Sequence, residues 1–234
     1  MDATDLGNEI RSRGYWRVNV RPTVFIPERV ALRELEAITR DSIVQLRGWD
    51  YPHFPREGVT RGNDFIEGAT EAAFISHLEV WRLYQSGQFI HLFSMREDWV
   101  EGTPLPGLGN VKPGELLSLE STLYTITEIF LFAARLAQRM ALGPEIVVEY
   151  ALHGLASRKL ETFNPERDSL FLLGHGPANT PSFERTVTEK AERISSRAPE
   201  IALEQTLKLY ERFGFDPPKE SVQEDQRRFL ERRL

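Results

Sequence analysis

The sequence predicts an α+β protein built on an antiparallel sheet, with a long buried helix and a helical C-terminal segment. Three observations lead to this fold class. Two runs of β-branched, aromatic and aliphatic residues flank a Ser-Gly pair at 86–87, which is typical of a β-hairpin. Residues 116–142 are apolar at helical spacing. The chain after residue 183 is amphipathic at the same spacing, which indicates further helices.

Composition limits the classes of function. The chain has 234 residues, no cysteine and a net charge of −6. The lack of cysteine excludes disulfides, thiolate nucleophiles and zinc sites of the cysteine type. The acidic balance does not support nucleic-acid binding, which would need a local basic patch. No signal peptide opens the sequence, so we expect a cytoplasmic protein.

The same patterns suggest how the chain is organised. We predict a flexible N-terminus at 1–13, an α+β core domain at 14–182 and a helical segment at 183–234 that packs on the core. The most apolar window, Leu123–Leu142, contains Glu128 and two arginines. It is therefore interpreted as a buried helix and not as a membrane span.

The first part of the core alternates strands and a helix. Tyr15–Phe25 has the period of a half-buried strand, and Pro22 places its second half at a sheet edge or ends it. Apolar residues at helical spacing predict a helix from Glu28 to about Arg40. Short apolar runs at Ile43–Leu46 and Asp64–Glu67 predict two more strands.

The central hairpin spans Phe74–Met95. If Ser86 and Gly87 are its two turn residues, the register follows, since Gly87 supplies the positive φ of a tight turn. The register predicted in this way pairs Tyr84 with Phe89, Arg82 with His91, Glu79 with Ser94 and His77 with Arg96. Both faces are largely apolar, so we expect a sheet covered on both sides, or covered on one side with a ligand or partner on the other.

The second half of the chain continues with helix and hairpin. Leu116–Leu142 predicts a buried helix that stops at Gly143-Pro144. Glu145–His153 and Arg158–Phe163 predict a second hairpin. The remaining predictions are loops at 97–114 and 164–182, helices at about 183–197, 199–213 and 222–233, and a capping box of Ser221 with Glu224.

The first candidate site is the aromatic loop that begins at Arg47 and ends at Gly58. Aromatic rings for stacking and arginine for an anionic group predict a clamp for a ligand or a partner. The alternative is a loop that plugs one end of the core, with its Asp satisfying backbone amides. The candidate ligand-binding residues here are Arg47, Trp49, Asp50, Tyr51 and His53.

The second candidate site is the polar cluster on the central hairpin. In the predicted register Glu79, His77 and Arg96 share one face, so Glu79 could act as a general acid or base. Arg82 and His91 meet on the opposite face and are further candidates for ligand binding. The alternative for both groups is a set of charge pairs that tie the sheet together. His77 and His91 point to opposite faces in this register, so we predict no shared metal site.

Two weaker candidates remain. Glu149, His153 and Glu161 on the predicted second hairpin could hold a metal, although a solvated strand face accounts for them as well. We therefore assign no metal ligand. Gly174 and Gly176 around His175 could approach a phosphate, but the segment lacks the rest of a phosphate-binding motif, and a plain loop is the simpler interpretation.

Three segments, YWRVNVRPTVF, VQLRGWDYPHF and LEVWRLYQSGQFIHLF, resemble a region of the bacterial AlbA/Schlafen-like DNA-binding proteins. The resemblance covers about Tyr15 to Arg96 and involves strand-like segments without a catalytic signature. It implies an accessory or sensing role in a larger bacterial system, such as a defence or DNA-associated system. It assigns no catalytic residue and no cofactor.

These observations lead to two main hypotheses. The first is a binding, sensor or protein-interaction module that acts with a protein partner or as a homo-oligomer, away from membranes. The second is a metal-dependent hydrolase or nuclease that uses the Glu/His cluster of the central hairpin. Direct DNA binding is a third hypothesis that the net charge does not favour.

Overall fold

A computed structural model describes residues 3–72, 77–99, 112–162 and 176–232. It confirms the α+β class, with a seven-stranded antiparallel sheet of order β2-β3-β4-β5-β1-β7-β9 and a separate parallel pair, β6 and β8. The strands are β1 (Tyr15–Pro22), β2 (Thr60–Arg61), β3 (Phe65–Ala72), β4 (His77–Tyr84), β5 (Phe89–Ser94), β6 (Leu116–Ser118), β7 (Glu145–His153), β8 (Lys159–Glu161) and β9 (Ser182–Lys190).

Helices cover both faces of the sheet. The helices are α1 (Ala3–Arg11), α2 (Leu35–Ser42), α3 (Leu119–Arg139), α4 (Ala191–Tyr210) and α5 (Lys219–Leu230). The main core lies between one face of the sheet and α3, with α4 and α5 packed against α3. None of the helices in the described ranges is both long and apolar enough to span a membrane.

Helix α3 is the long buried helix that the apolar stretch predicts. It begins after Ser118, whose side chain accepts a hydrogen bond from the Ser121 amide as an N-cap. Fourteen of its 21 residues are buried, because the sheet covers one side of α3 and α4 packs along another. The glycine predicted to stop it, Gly143, has a φ of 104° and precedes β7.

The predicted register of the central hairpin is wrong by one residue. Its loop has three residues, Gln85 to Gly87, because the Tyr84 backbone amide donates a hydrogen bond to the Gln88 carbonyl. Gly87 ends this loop with a φ of 90°. Glu79 therefore lies opposite Phe93, Trp81 opposite His91 and Leu83 opposite Phe89. A shift by one residue moves every side chain of β5 to the other face relative to β4. His91 thus lies on the same face of the hairpin as Glu79, and Arg82 lies on the other face.

The sheet is covered on both sides at this hairpin. The N-terminal segment predicted to be flexible forms α1 over residues Ala3–Arg11. Leu6 and Ile10 of α1 are buried against Leu78 and Leu92 on the outer face of β4 and β5. The sequence prediction missed this helix because only two of its residues are large and apolar.

The predicted second hairpin is also wrong. β7 pairs with β1 on one side and with β9 on the other, while the residues predicted to return beside it form β8, which pairs with β6. β9 (Ser182–Lys190) occupies the first part of the segment that was predicted to be helical from about residue 183. Its side chains alternate between more and less buried positions, and its Thr-Val-Thr run is β-branched, as expected for a strand.

Smaller differences concern the remaining elements. The run Ile43–Leu46 contributes only a bridge between Val44 and Tyr51, and α2 begins at Leu35, later than predicted. Ser221 is no cap, because α5 begins at Lys219 after Pro218. The predicted strand at 64–67 is longer, and α4 leads through a 3-10 turn to Gly214 as expected. Residues 100–111 of one predicted loop, and Gly174 and His175 of another, lie outside the described residues.

Candidate functional site

The two main candidate sites of the sequence meet at one cavity. It has a volume of about 520 Å³ and lies between the aromatic loop, the core face of β4 and β5, and the first half of α3. The loop reaches it because the Val44–Tyr51 bridge turns the chain back after α2. The walls include all five candidate residues of the loop, together with His77, Glu79 and Arg96.

The aromatic loop is anchored to the hairpin by its backbone. The His53 amide donates a hydrogen bond of 2.7 Å to Glu79 Oε1, and the His53 carbonyl accepts one of 2.9 Å from Trp81 Nε1. The Trp49 indole stacks on the His53 ring with a centroid distance of 3.9 Å. The loop therefore packs on the hairpin, with Tyr51 and Phe54 in the main core, and also lines a cavity.

Glu79 is the centre of the hairpin cluster. Its side chain is buried, and Oε2 lies 2.8 Å from His77 Nε2 and 3.4 Å from His91 Nε2. Burial alone would raise the pKa of Glu79, but His77 and His91 outweigh this effect and hold the pKa at about 2. Glu79 is therefore a carboxylate near neutral pH, held between two imidazoles.

His91 lies behind Glu79 in the core. Its ring packs between the rings of Tyr51 and Phe93, and neither of its nitrogens makes a well-oriented hydrogen bond to a described residue. Burial lowers the pKa of His91. A neutral imidazole close to an ionised carboxylate is the consequence. The corrected register is what brings His77 and His91 to the same carboxylate.

Glu128 is a residue of the site that the sequence analysis did not select. It lies on α3, is fully buried, and lines the same cavity. Its Oε2 accepts a 2.7 Å hydrogen bond from Arg47 Nη2, which also donates to Thr125 Oγ1 at 3.0 Å. Its Oε1 is buried, and no described residue donates a hydrogen bond to it. A glutamate in the most apolar stretch of the chain was the available signal.

Burial raises the pKa of Glu128 to about 7; Arg47 lowers it and the negative charge of Glu79 raises it further. Tyr51 responds in the same direction, because burial and then the charges of Glu128 and Glu79 raise its pKa well above the ordinary value. Its hydroxyl is buried and makes no hydrogen bond within the ranges that the structure describes. The cavity thus holds ionisable groups whose charged forms are costly.

Glu97 is a third buried carboxyl on the cavity and was also not selected. It lies in the 3-10 turn Arg96–Asp98 and accepts a 2.9 Å hydrogen bond from the Ser118 amide. Burial raises its pKa. Glu79, Glu97 and Glu128 therefore come from a strand, a turn and a helix that are distant in sequence.

Two arginines stand at the open side of the cavity. Arg56 and Arg96 are exposed and line it, and within the described part of the chain neither guanidinium group makes an ion pair or a hydrogen bond. Arg96 was predicted to meet Glu79 and His77, but no ion pair joins it to Glu79 in the described ranges. Its guanidinium is available to a molecule entering from solvent.

The structure does not bring Arg82 to this site. It lies on the opposite face of β4, donates to Glu67 Oε2 at 2.5 Å and stacks over the Phe65 ring. This position follows from the corrected register, in which Arg82 faces Ile90 across the hairpin and not His91. Arg82 is half exposed and belongs to the surface of the sheet that α1 covers in part.

The weaker candidates on β7 are partnered within the sheet. Glu149 accepts hydrogen bonds from Asn19 at 2.8 Å and Arg21 at 2.7 Å, and the His153 ring stacks on Tyr15. Glu161 lies on β8, in the other sheet. Among the described residues, no three His, Asp or Glu side chains are grouped as metal ligands would be.

The arrangement combines three chemical properties in one enclosed space. Aromatic walls can stack on or enclose an organic group, buried carboxyls can accept hydrogen bonds, and exposed guanidinium groups can bind an anion. The resemblance of residues 15–96 to the AlbA/Schlafen-like proteins stays a prediction, because no family model, curated protein or solved structure matches this chain.

Proposed function

We propose that this chain is a small-molecule binding or sensor domain whose ligand occupies the cavity between the aromatic loop, the central hairpin and α3. The observation that carries the proposal is the convergence of three buried carboxyls on a cavity of about 520 Å³. This volume is in the range of pockets that hold metabolite-sized or drug-sized ligands.

The energetic cost of these groups supports a binding role. A buried polar atom without a partner costs about 1–3 kcal/mol. Within the described part of the chain, Glu128 Oε1 and the Tyr51 hydroxyl are such atoms, and both residues line the cavity. Apolar residues at these positions would stabilise the fold more, so their presence at a cavity favours a role in recognition.

The aromatic walls support the same role. Trp16, Trp49, Tyr51 and Phe93 line the cavity from the sheet and from the loop. Large rigid rings give contact area at a small cost in conformational entropy, so they are common in binding sites. Trp49 is half buried and stacked on His53, which leaves part of its surface to meet a ligand.

A thermal-shift screen of small molecules, followed by calorimetry, tests the proposal. A ligand at about one hundred times its Kd should add about 2.7 kcal/mol to the free energy of unfolding. Replacing Trp49 by Ala should then weaken binding about tenfold or more. Trp99→Ala is the matched control, because Trp99 is also half buried but lies outside the cavity, beside α1.

The expected result is a ligand whose binding is weakened in Trp49→Ala and retained in Trp99→Ala. A screen without any stabilising compound, or a ligand that binds both variants equally, would contradict the proposal. Circular dichroism of the two variants shows whether each one is folded before its binding is compared.

A second candidate function, acid–base hydrolysis, is favoured by one observation. The cavity holds Glu79 with a pKa of about 2 and Glu128 with a pKa of about 7. Two carboxyls whose pKa values are separated by their environments can act as base and acid in one reaction. The test follows each ligand by NMR for turnover, with and without divalent metal. Glu79→Gln should abolish any turnover, and turnover that survives in it contradicts this candidate.

The wider predictions of the sequence analysis fit a binding domain and stay predictions. They are a cytoplasmic location, a protein partner or a homo-oligomer, and a place in a bacterial defence or DNA-associated system. Light scattering on the ligand-free and ligand-bound protein measures whether the ligand changes the oligomeric state. A sensor that signals through assembly should change mass on binding.

A further inference from the structure

We propose that the ligand is a small molecule with a cationic amino or guanidinium group at one end and an anionic carboxylate or phosphate at the other. This inference rests on the proposed binding function of the cavity and names the chemistry of its ligand. The cationic end lies inside, among carboxyls and aromatic rings, and the anionic end lies at the opening.

The inner wall of the cavity is acidic. Glu97 and Glu128 are both buried, and burial is the main reason that their pKa values are raised. Glu128 is already paired with Arg47 through Oε2, but its Oε1 has no hydrogen-bond partner among the described residues. A ligand ammonium would supply this missing donor and compensate the buried charge, so Glu128 would be ionised in the complex.

Aromatic rings line the same cavity as these carboxyls. Trp16, Trp49 and Phe93 line the cavity together with the Tyr51 ring. The face of an aromatic ring attracts a cation, and the attraction increases when the cation has left water. Several rings around a buried carboxyl are a combination that suits an organic cation better than an anion or a neutral polar group.

The exposed charged residues that line the cavity are arginines, and the lining carboxyl of Asp50 is half-buried. Arg56 and Arg96 are exposed lining residues whose guanidinium groups make no ion pair or hydrogen bond with other described residues. The third lining arginine, Arg47, differs because it is bonded to Glu128 and Thr125. Guanidinium groups bind carboxylates and phosphates with paired hydrogen bonds, so the two exposed arginines suit an anionic end.

The test compares compounds that share a carbon skeleton and differ only in charge. Water-soluble compounds smaller than the cavity are arranged in sets of an amine, a carboxylate, an amino acid with both charges, and an alcohol with neither. Hexylamine, hexanoate, 6-aminohexanoate and 1-hexanol form one such set, and 6-aminohexanoate carries its two charges at opposite ends. Binding to the wild-type protein is measured by thermal shift and then by calorimetry.

The expected result is that the compounds with both charges bind, and that removal of either charge weakens binding about tenfold or more. If the doubly charged compound binds no better than the carboxylate or the alcohol of its set, this inference is overturned. The proposed binding function then remains intact. If no compound of any charge class binds, both proposals fall together. The three outcomes are therefore distinct.

Two variants assign the two charges of the ligand to the two ends of the cavity. Glu128→Gln should weaken the binding of the amines and of the doubly charged compounds. Arg96→Ala should weaken the binding of the carboxylates and of the doubly charged compounds. The matched controls are Glu204→Gln on the exposed side of α4 and Arg33→Ala, which are exposed and outside the cavity. Unchanged affinity of a doubly charged ligand in both Glu128→Gln and Arg96→Ala would overturn the assignment.

Discussion

At the scale of single residues, Glu128 shows how a side chain can oppose the stability of its own fold. It faces Arg47 and Tyr51 from the aromatic loop and feels the charge of Glu79 from β4. Its pKa rises from an ordinary 4.5 to about 7 in the folded protein. A raised pKa means that folding favours the protonated form, so the stability it contributes is present below pH 4.5 and is lost as pH rises through about 7.

We therefore expect Glu128→Gln to stabilise the protein at pH 8 and to change little at pH 4. The variant gains stability because a neutral amide avoids the cost of the buried charge. The gain is about 3 kcal/mol at most, which is the free-energy equivalent of the difference between the ordinary and the folded pKa of Glu128. Urea unfolding at both pH values measures it. The control variant, Glu204→Gln, should change the free energy of unfolding by the same amount at pH 8 and at pH 4. A Glu128→Gln variant that is less stable than the wild type at pH 8 would contradict the raised pKa.

At the scale of elements, a turn and a helix determine what the sheet presents on each face. Gly87 allows the three-residue turn that sets the register of β4 and β5, and so places His91 beside Glu79. Its left-handed φ favours glycine, and a Cβ there would lie 2.3 Å from the Leu142 side chain. The outer face of the same hairpin is covered by α1.

Helix α1 offers a test of this covering. Ile10 is fully buried against Leu78 and Leu92, so Ile10→Ala should lower the free energy of unfolding by about 2–5 kcal/mol. Val24 is 59% exposed, and Val24→Ala should change the free energy of unfolding by less than about 0.5 kcal/mol. Equal urea midpoints for the two variants would show that α1 is not packed on the sheet.

At the scale of the whole molecule, a buried ion pair joins segments that are far apart in sequence. Arg158 donates to Asp98 through two hydrogen bonds of 2.8 and 2.5 Å. Asp98 also accepts from the amides of Gly14 and Gly114, at 2.7 and 2.9 Å. Burial alone would raise the pKa of Asp98, but Arg158 and these amides lower it. The pair thereby links the start of β1, the end of β5 and the turns beside β6 and β8.

Removing the charge of Asp98 should affect the entire fold. We expect Asp98→Asn to lower the free energy of unfolding by about 3–5 kcal/mol, because Arg158 would remain buried without its partner. The comparison is Asp41→Asn, which breaks the exposed pair of Asp41 with Arg139 and should cost less than about 1 kcal/mol. Similar losses in the two variants, measured by urea unfolding at pH 7, would contradict a central role for the pair.

Because the folded pKa of Asp98 is lowered, its contribution is present above the ordinary value of 3.8 and is lost as pH falls below it. The difference in stability between wild type and Asp98→Asn should therefore shrink at acid pH. This direction is opposite to that for Glu128, although both carboxyls are buried. The partner decides the sign, since a bidentate guanidinium and two amides outweigh burial and a single shared arginine does not.

Much of the site was visible in the sequence as residue types. The aromatic loop and the Glu/His cluster were selected as candidates because aromatic, imidazole and guanidinium groups are dense there. That the two belong to one cavity was not predictable, because it requires the Val44–Tyr51 bridge and the contact of His53 with Glu79. Glu128 and Glu97 were missed because a single carboxyl in an apolar or loop segment has no distinguishing pattern.

The sequence by itself determined the α+β class, the strands β1 and β4 and the long helix α3, because local periodicity and chain breakers specify elements. Only the tertiary structure decided the pairing of β7 with β1 and β9, the register of the hairpin and the common cavity. Pairing depends on contacts between segments distant in sequence, and register depends on a turn that differs by one residue. Burial and neighbouring charges then set the pKa values that give Glu79 and Glu128 different properties.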